Sequence, residues 1–215
     1  SAVYDYGPYG VELKKNIRDY WWKSMTQMHE NIVGIDAAIF MHPTTWKASG
    51  HVDNFSEPMI DNKDGKKRYR VDHLIEAKAE ELNNAGKNEE ANHLLNKMEE
   101  LLAAENFTEL KALIDEYKIS CSISGTSNWT DIRQFNLMFK TEFGAVASDN
   151  PDDNIVYLRP ETAQGIFVNF LNVQKTARMK IPFGIAQTGK AFRNEIVARQ
   201  FIFRMREYEE MEMQF

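Results

Sequence analysis

The densest set of chemically capable side chains lies between Ile181 and Phe215, which reads IPFGIAQTGKAFRNEIVARQFIFRMREYEEMEMQF. Successive strand residues point to opposite faces, so Arg193 and Glu195 share one face if Gly184–Glu195 is extended. If 201–215 is the returning strand of a hairpin, Arg204, Arg206, Tyr208, Glu210 and Glu212 face one way. Phe203, Met205, Met211 and Met213 then face the other, which gives a charged floor on an apolar underside. Guanidinium groups grip anionic oxygens in pairs, and a flat ring covers a planar ligand. An amphipathic hairpin on a sheet surface would show the same alternation; the spacing of the charged residues favours a site.

The string FRNE, a loop, then Arg204-x-x-x-Tyr208-x-x-x-Glu212 resembles motif 2 of the class II aminoacyl-tRNA synthetases. The wording FRNEI…FRMREYEEMEMQF is similar to that of the homodimeric glycyl-tRNA synthetases. The resemblance implies that Arg193 grips the α-phosphate of ATP and, with Glu195, serves catalysis. Arg204 would hold the outer phosphates and Tyr208 would cover the adenine. Asn194, Phe203, Met205, Arg206 and Glu207 complete the implied ATP site. Tyr208, Glu209, Glu210, Met211 and Glu212 border the implied glycine site, with Glu212 at the ammonium. Tyr208 stands where phenylalanine is usual in the family, which keeps the stacking and adds a hydroxyl.

Other phrases extend the resemblance. In RPETAQG the family's Glu contacts the amino acid, here Glu161, so Glu161 and Glu212 would bracket one ammonium. From the residues alone, Glu161 and Thr162 equally suit a turn and a helix N-cap. In YRxDxLIE the implied substrate contact is Arg70; read without the family, Arg70 is a surface arginine paired with Asp72. A long helix, a strand and Pro43 resemble motif 1, whose proline marks the dimer interface. The phrases YDYGPxGxELKxN and NWTxxRQFNLMFKTxFG are also similar to the glycyl enzymes.

What the resemblance implies is ATP-dependent attachment of glycine to tRNA(Gly) through glycyl-adenylate. Positioning and charge neutralisation would dominate, with Mg²⁺ bridging phosphate oxygens. The sequence has no persuasive Ser/His/Asp or Cys/His set and no Walker-type glycine loop, which disfavours covalent and P-loop mechanisms. Glycine offers no side chain, so selectivity rests on a small, acid-lined pocket that added bulk cannot enter. A non-catalytic synthetase-like accessory or regulatory dimer is the alternative; charges held in a cleft without a ligand disfavour it. A biotin-ligase-like enzyme would need a Gly-rich loop that the sequence lacks.

The chain must position these groups with 215 residues, 43% of them hydrophobic, enough for a real core. The implied fold is α+β, class II synthetase-like: a mostly antiparallel sheet flanked by helices, with an inserted helical subdomain. The expected divisions are 1–76 and 119–215 for the catalytic domain and 77–118 for the insertion. Motif 3 and an anticodon-binding domain are not present, so a fragment, inactive alone, is expected. No apolar run approaches the ~20 residues of a membrane span. The single Cys121 excludes an internal disulfide and a Cys-rich zinc site, and a reducing cytoplasm fits. No metal site is expected within the chain. The net charge of −6 argues against nonspecific nucleic-acid coating and against DNA as a partner.

In chain order, Leu13, Ile17, Tyr20, Trp21, Ser24, Met28 and Ile32 form an apolar stripe on a helix that must pack on something. Ile35–Met41 reads as a buried strand ended by His42-Pro43. His42, His51 and His73 lack metal-ligand spacing and read as packing or surface residues. Lys66-Lys67-Arg68-Tyr69-Arg70 reads as a solvated basic loop. Between Glu76 and Tyr117, Ala, Leu, Glu and Lys dominate; Gly86 closes one helix and the stretch Asn106-Phe107-Thr108 caps another, with Thr108 as the N-cap. That insertion offers a solvated surface or a contact to tRNA or a partner. Trp129–Phe139 reads as strand or helix, and Ile166–Gln174 as an amphipathic helix.

Overall fold

A computed structural model describes residues 2–144, 154–196 and 201–215. In chain order the elements are α1 (Pro8–Thr26), β1 (Ile32–Ile35), α2 (Pro43–Ala48), α3 (His51–Asn54), β2 (Ser56–Asn62), β3 (Lys67–Arg70), α4 (Val71–Asn84), α5 (Asn88–Ala103), α6 (Phe107–Glu116), β4 (Arg133–Asn136), β5 (Lys140–Glu142), β6 (Ile155–Tyr157), α7 (Ala163–Thr176), β7 (Gly184–Phe192) and β8 (Glu207–Gln214). They form two compact units: Ser1–Phe55 with Leu137–Phe215, and Ser56–Asn136. Helices and mainly antiparallel sheets make a mixed α/β chain.

In the first unit the sheet order is β1-β7-β8, with β1 parallel to β7 and β7 antiparallel to β8. Pro8 starts α1, where its fixed φ suits a helix and its missing N–H costs nothing. The helix is 19 residues long, and none of them is fully buried. Its inner edge packs on the sheet: a Cβ on Gly34 would come 2.3 Å from the Trp22 ring, so only glycine lets the indole lie flat there. Lys14 and Arg18 reach Glu209 of β8, both at 3.1 Å. Leu13, Ile17 and Tyr20, part of the expected packing stripe, remain exposed.

The strand expected over Ile35–Met41 ends at Ile35, opposite Gln187. Its continuation is blocked by Arg159, a guanidinium only 2% exposed. Arg159 donates to the Ala37 carbonyl at 2.8 Å and the Lys190 carbonyl at 2.7 Å, taking acceptors that a longer ladder would use. Gly189 makes room for it, since a Cβ there would lie 2.3 Å from Nη2. Among the described residues, an isolated bridge from Phe40 to Leu158 follows. Pro43 then opens α2, with His42 Nδ1 accepting from the Thr44 N–H at 3.2 Å.

The returning strand also starts later than expected, at Glu207 rather than Phe201. Arg193 N–H still reaches the Arg206 carbonyl at 3.0 Å, but the Arg206 N–H turns to Ala2 at 2.9 Å and the hairpin opens. Helix α7 begins at Ala163, ahead of the expected Ile166. Its buried Ile166 and Val173 pack with Phe183 and Ile185.

In the second unit β2 pairs with β3 and β4, all antiparallel. The helices of 77–118 share one core with this sheet, from Ile60 through Leu94 and Ile114 to Trp129, so the unit that holds them is the whole of Ser56–Asn136. The basic run is no loop: Lys67–Arg70 is β3, and Arg68 grips Asp61 with two bonds, 2.7 and 3.0 Å. Gly86, at φ +78°, ends α4, with the Lys87 N–H reaching the Leu82 carbonyl at 2.9 Å. Asn106, not Thr108, caps α6, because its side-chain oxygen reaches the Glu109 N–H at 3.2 Å. Residues 133–136 settle as a strand, with buried Trp129 donating to the Ile119 carbonyl at 2.8 Å.

Candidate active site

Alternation on β8 puts Tyr208, Glu210 and Glu212 on one face, opposite Ala191, Gly189 and Gln187 of β7. The turn Pro160–Thr162, which leads into α7, lies against that face. The Pro160 carbonyl accepts from the Tyr208 hydroxyl at 2.8 Å and from Arg193 Nε at 3.0 Å. Thr162 stands at the N-cap of α7, yet its hydroxyl makes no cap bond. It turns instead to the acids, 2.5 Å from Glu212 Oε2 and 3.3 Å from Glu210 Oε2, while its N–H donates to Glu210 Oε2 at 3.0 Å. A carboxylate from another element thereby serves the positive end of the helix.

The electrostatics follow from this crowding. Burial, then the neighbouring Glu212, push the Glu210 carboxyl above its ordinary value, while Thr162 and Arg193 pull it back. Burial likewise raises the Tyr208 phenol; Arg193 opposes this, and Glu210, Glu161 and Glu195 add to it. Tyr208 therefore stays a neutral hydroxyl, as its bond to a carbonyl requires. Gln214 Nε2 donates to the other oxygen of Glu212 at 2.6 Å.

Arg193 leaves the end of β7 between two rings, its guanidinium carbon 5.6 Å from the centres of both Phe55 and Tyr208. Cation–π attraction and the Pro160 bond fix the group. Its terminal nitrogens carry no hydrogen bond to any described residue, so they can meet an anion bidentately. Beyond it, the Asn194 N–H donates to the Leu137 carbonyl at 2.7 Å. Glu195 lies 4.0 Å from Arg204 Nε, and its carbonyl accepts from Arg206 Nε at 2.8 Å.

Glu161 sits in the middle of the turn with its Oε1 3.3 Å from His51 Nε2. His51, read as packing or surface from the sequence, is thus part of this constellation. Nothing in its spacing signalled that, because its partner lies far along the chain. Gln187 was also missed: it is fully buried next to Glu212 in the ladder, and neither amide atom has a partner among the described residues.

The structure brings Glu161, Arg193, Tyr208, Glu210 and Glu212 together around one turn. It does not bring the intervening β8 residues to them. Glu207 pairs with Lys190, Glu209 with Lys14 and Arg18, and Met211 lies beside α1 with Ile17 and Tyr20. Met205 is buried under the Tyr6 hydroxyl, and Phe203 is 86% exposed. Arg70 belongs to the second unit, where Glu57 and Asp72 hold it; the Asp72 pairing is the one its sequence position suggested. Pro43 is the first residue of α2.

Comparison with known proteins adds a second line. A family model described as glycyl-tRNA synthetase insertion domain 1 matches residues 57–93 and 85–137, the extent of the second unit. Over its full length the chain is 56% identical to the glycine–tRNA ligase of Chlorobaculum tepidum, covering 100% of this chain and 45% of that protein. The chain is similar to glycine–tRNA ligases over its whole length. Its identity to the glycine–tRNA ligases of Staphylococcus saprophyticus and Macrococcus caseolyticus is 54% and 53%, again over 100% of this chain and 43% of each relative. The chain spans less than half the length of these curated relatives. The face of β7 and β8 offers an arginine with open terminal nitrogens, a ring and an acid cluster within one turn's reach.

Proposed function

We propose that this chain carries the ATP- and glycine-binding part of a class II glycine–tRNA ligase. The observation that carries the reading is the convergence of Arg193, Tyr208, Glu161, Glu210 and Glu212 on Pro160–Thr162. In the reaction the glycine carboxylate attacks the α-phosphorus of ATP in line and pyrophosphate leaves. The terminal ribose hydroxyl of tRNA(Gly) then takes the glycyl group. Arg193, pre-set between Phe55 and Tyr208, neutralises charge on the α-phosphate as the bond forms. Arg204 takes the outer phosphates, the Tyr208 ring flanks the adenine, and Glu195 holds Arg204 by its carboxylate and Arg206 by its carbonyl. Glu161 and Glu212 receive the glycine ammonium, with Thr162 fixing Glu212 and Glu210 lending negative potential. Arg70 contacts the substrate.

Mg²⁺ entering with ATP would offset the negative charge of the phosphates. The described residues contain no group of three or more His, Cys, Asp or Glu that could hold a metal ion. No step is therefore assigned to a protein-held metal.

The working assembly is a homodimer formed about α1 and the α2 end at Pro43. The support is the exposed Leu13, Ile17 and Tyr20 and a groove of about 670 Å³ lined by Ile17, Tyr20, Trp21, Met25 and Met211. Such a stripe is more apolar than a monomer surface usually tolerates. The setting is the cytoplasm; no helix among the described residues is long and apolar enough to cross a membrane. The net charge of −6 disfavours nonspecific coating of nucleic acid, DNA included, so tRNA(Gly) would dock through a local patch.

The test is pyrophosphate exchange with the full-length protein. Exchange that requires glycine supports the reading. Equal exchange with alanine or serine overturns the substrate, and none with any amino acid overturns the enzyme in favour of a binding protein.

A further inference from the structure

His51 and Glu161, from distant parts of the chain, meet beside the turn that leads into α7. His51 follows Gly50, whose φ of +79° favours glycine and starts the short helix α3. The imidazole is wedged between Trp46, at 5.4 Å and 75°, and Phe55, at 5.1 Å and 49°. Trp46 is fully buried, so that wall does not move easily. Ser49 Oγ lies 2.9 Å from His51 Nδ1, fixing the ring's rotation about its own axis. Its Nε2 lies 3.3 Å from Glu161 Oε1.

A carboxylate oxygen has no hydrogen to give, so any proton shared across this 3.3 Å contact comes from Nε2. One oxygen of Glu161 is thereby faced by an imidazole from within the protein. An unrestrained glutamate has three side-chain torsions to freeze on binding, at a cost that a prior contact removes. The same Phe55 ring that backs His51 also backs Arg193. One aromatic wall thus sets the spacing between the acid of the turn and the phosphate-gripping arginine.

We propose that His51 is a positioning residue for Glu161, holding its carboxylate ready for the ammonium of the amino-acid substrate. This rests on the reading of Glu161 given under the proposed function. His51 touches no reacting atom; its effect on the reaction passes through Glu161. It belongs to amino-acid binding and not to ATP binding.

The experiment compares His51→Ala, His51→Gln and His51→Asn in the full-length protein by pyrophosphate exchange, with Glu161→Gln and wild type alongside. Gln can place an N–H near the position of Nε2; Asn reaches only the position of Nδ1. His51→Ala is expected to raise the KM for glycine by about tenfold or more. The KM for ATP should change by less than about twofold, because Arg193 keeps both its rings. His51→Gln should recover most of the glycine affinity and His51→Asn little. Thermal melting of each variant is followed, and if His51→Ala melts early the Gln and Asn pair carries the comparison. An unchanged glycine KM in His51→Ala, equal loss for glycine and ATP, or Asn rescuing as well as Gln overturns the inference. If Glu161→Gln loses glycine binding while every His51 variant keeps it, this inference alone fails. If wild type shows no glycine-dependent exchange, the proposed function fails and takes this inference with it.

Discussion

Thr162 is the sharpest single place to perturb the site. Its hydroxyl does not cap α7, so replacing it by the nearly isosteric valine removes no capping bond and no volume. What Thr162→Val removes is the 2.5 Å bond to Glu212 and the longer 3.3 Å approach to Glu210. Glu210 keeps the Thr162 N–H at 3.0 Å, and Glu212 keeps Gln214 at 2.6 Å. The net loss is about one hydrogen bond to a charged acceptor, about 2 kcal/mol. If that bond holds Glu212 for the glycine ammonium, the loss corresponds to about 30-fold in kcat/KM for glycine. The assay is glycine-dependent pyrophosphate exchange on the full-length protein with ATP saturating. Thr162→Ser should stay within about threefold of wild type, since it keeps the donor. A Thr162→Val enzyme as efficient as wild type, or a Thr162→Ser enzyme as poor as Thr162→Val, would refute the assignment of the hydroxyl to the acids.

The raised Glu210 carboxyl makes a pH prediction. The folded chain holds that proton more tightly than the unfolded chain, so stability falls as pH rises from the ordinary glutamate value to the raised one, then levels. Glu210→Gln, which keeps an acceptor for the Thr162 N–H, should lose less stability over that window in urea unfolding from about pH 4 to about pH 7. In the second unit, Asn106→Ala should cost about 1 kcal/mol in equilibrium unfolding and Thr108→Ala almost nothing, because only Asn106 reaches the Glu109 N–H. Gly34→Ala should destabilise by about 2 kcal/mol or more, read as a lowered melting temperature, since its Cβ would meet the Trp22 ring at 2.3 Å.

What could be read from the sequence was what depends on local period. Two-residue alternation in EYEEMEM put Tyr208, Glu210 and Glu212 on one face, and the three- and four-residue steps marked α1, although Met28 and Ile32 of that stripe lie beyond its end at Thr26, Ile32 in β1. What escaped depends on partners distant in the chain. No pattern shows that Arg159 takes the Ala37 and Lys190 carbonyls and so ends β1 early. His51 and Glu161 meet only once the chain has folded. The cap of α6 was a choice between two good capping types, decided by which one reaches a particular N–H. Glu209 and Met211 were grouped with the site by a family phrase that ignores the pleat; the pleat sends them to the other side.

That other side matters in its own right. Strand β8 is one backbone thick, with Tyr208, Glu210 and Glu212 in front and Glu209 and Met211 behind, and the rear pair is tied to or lies along α1. Whatever settles on the bare outer stripe of α1 leans on the helix that grips the back of this strand. Occupancy of that stripe and geometry of the acids are therefore mechanically joined through a single layer of peptide, and neither can be altered with full indifference to the other.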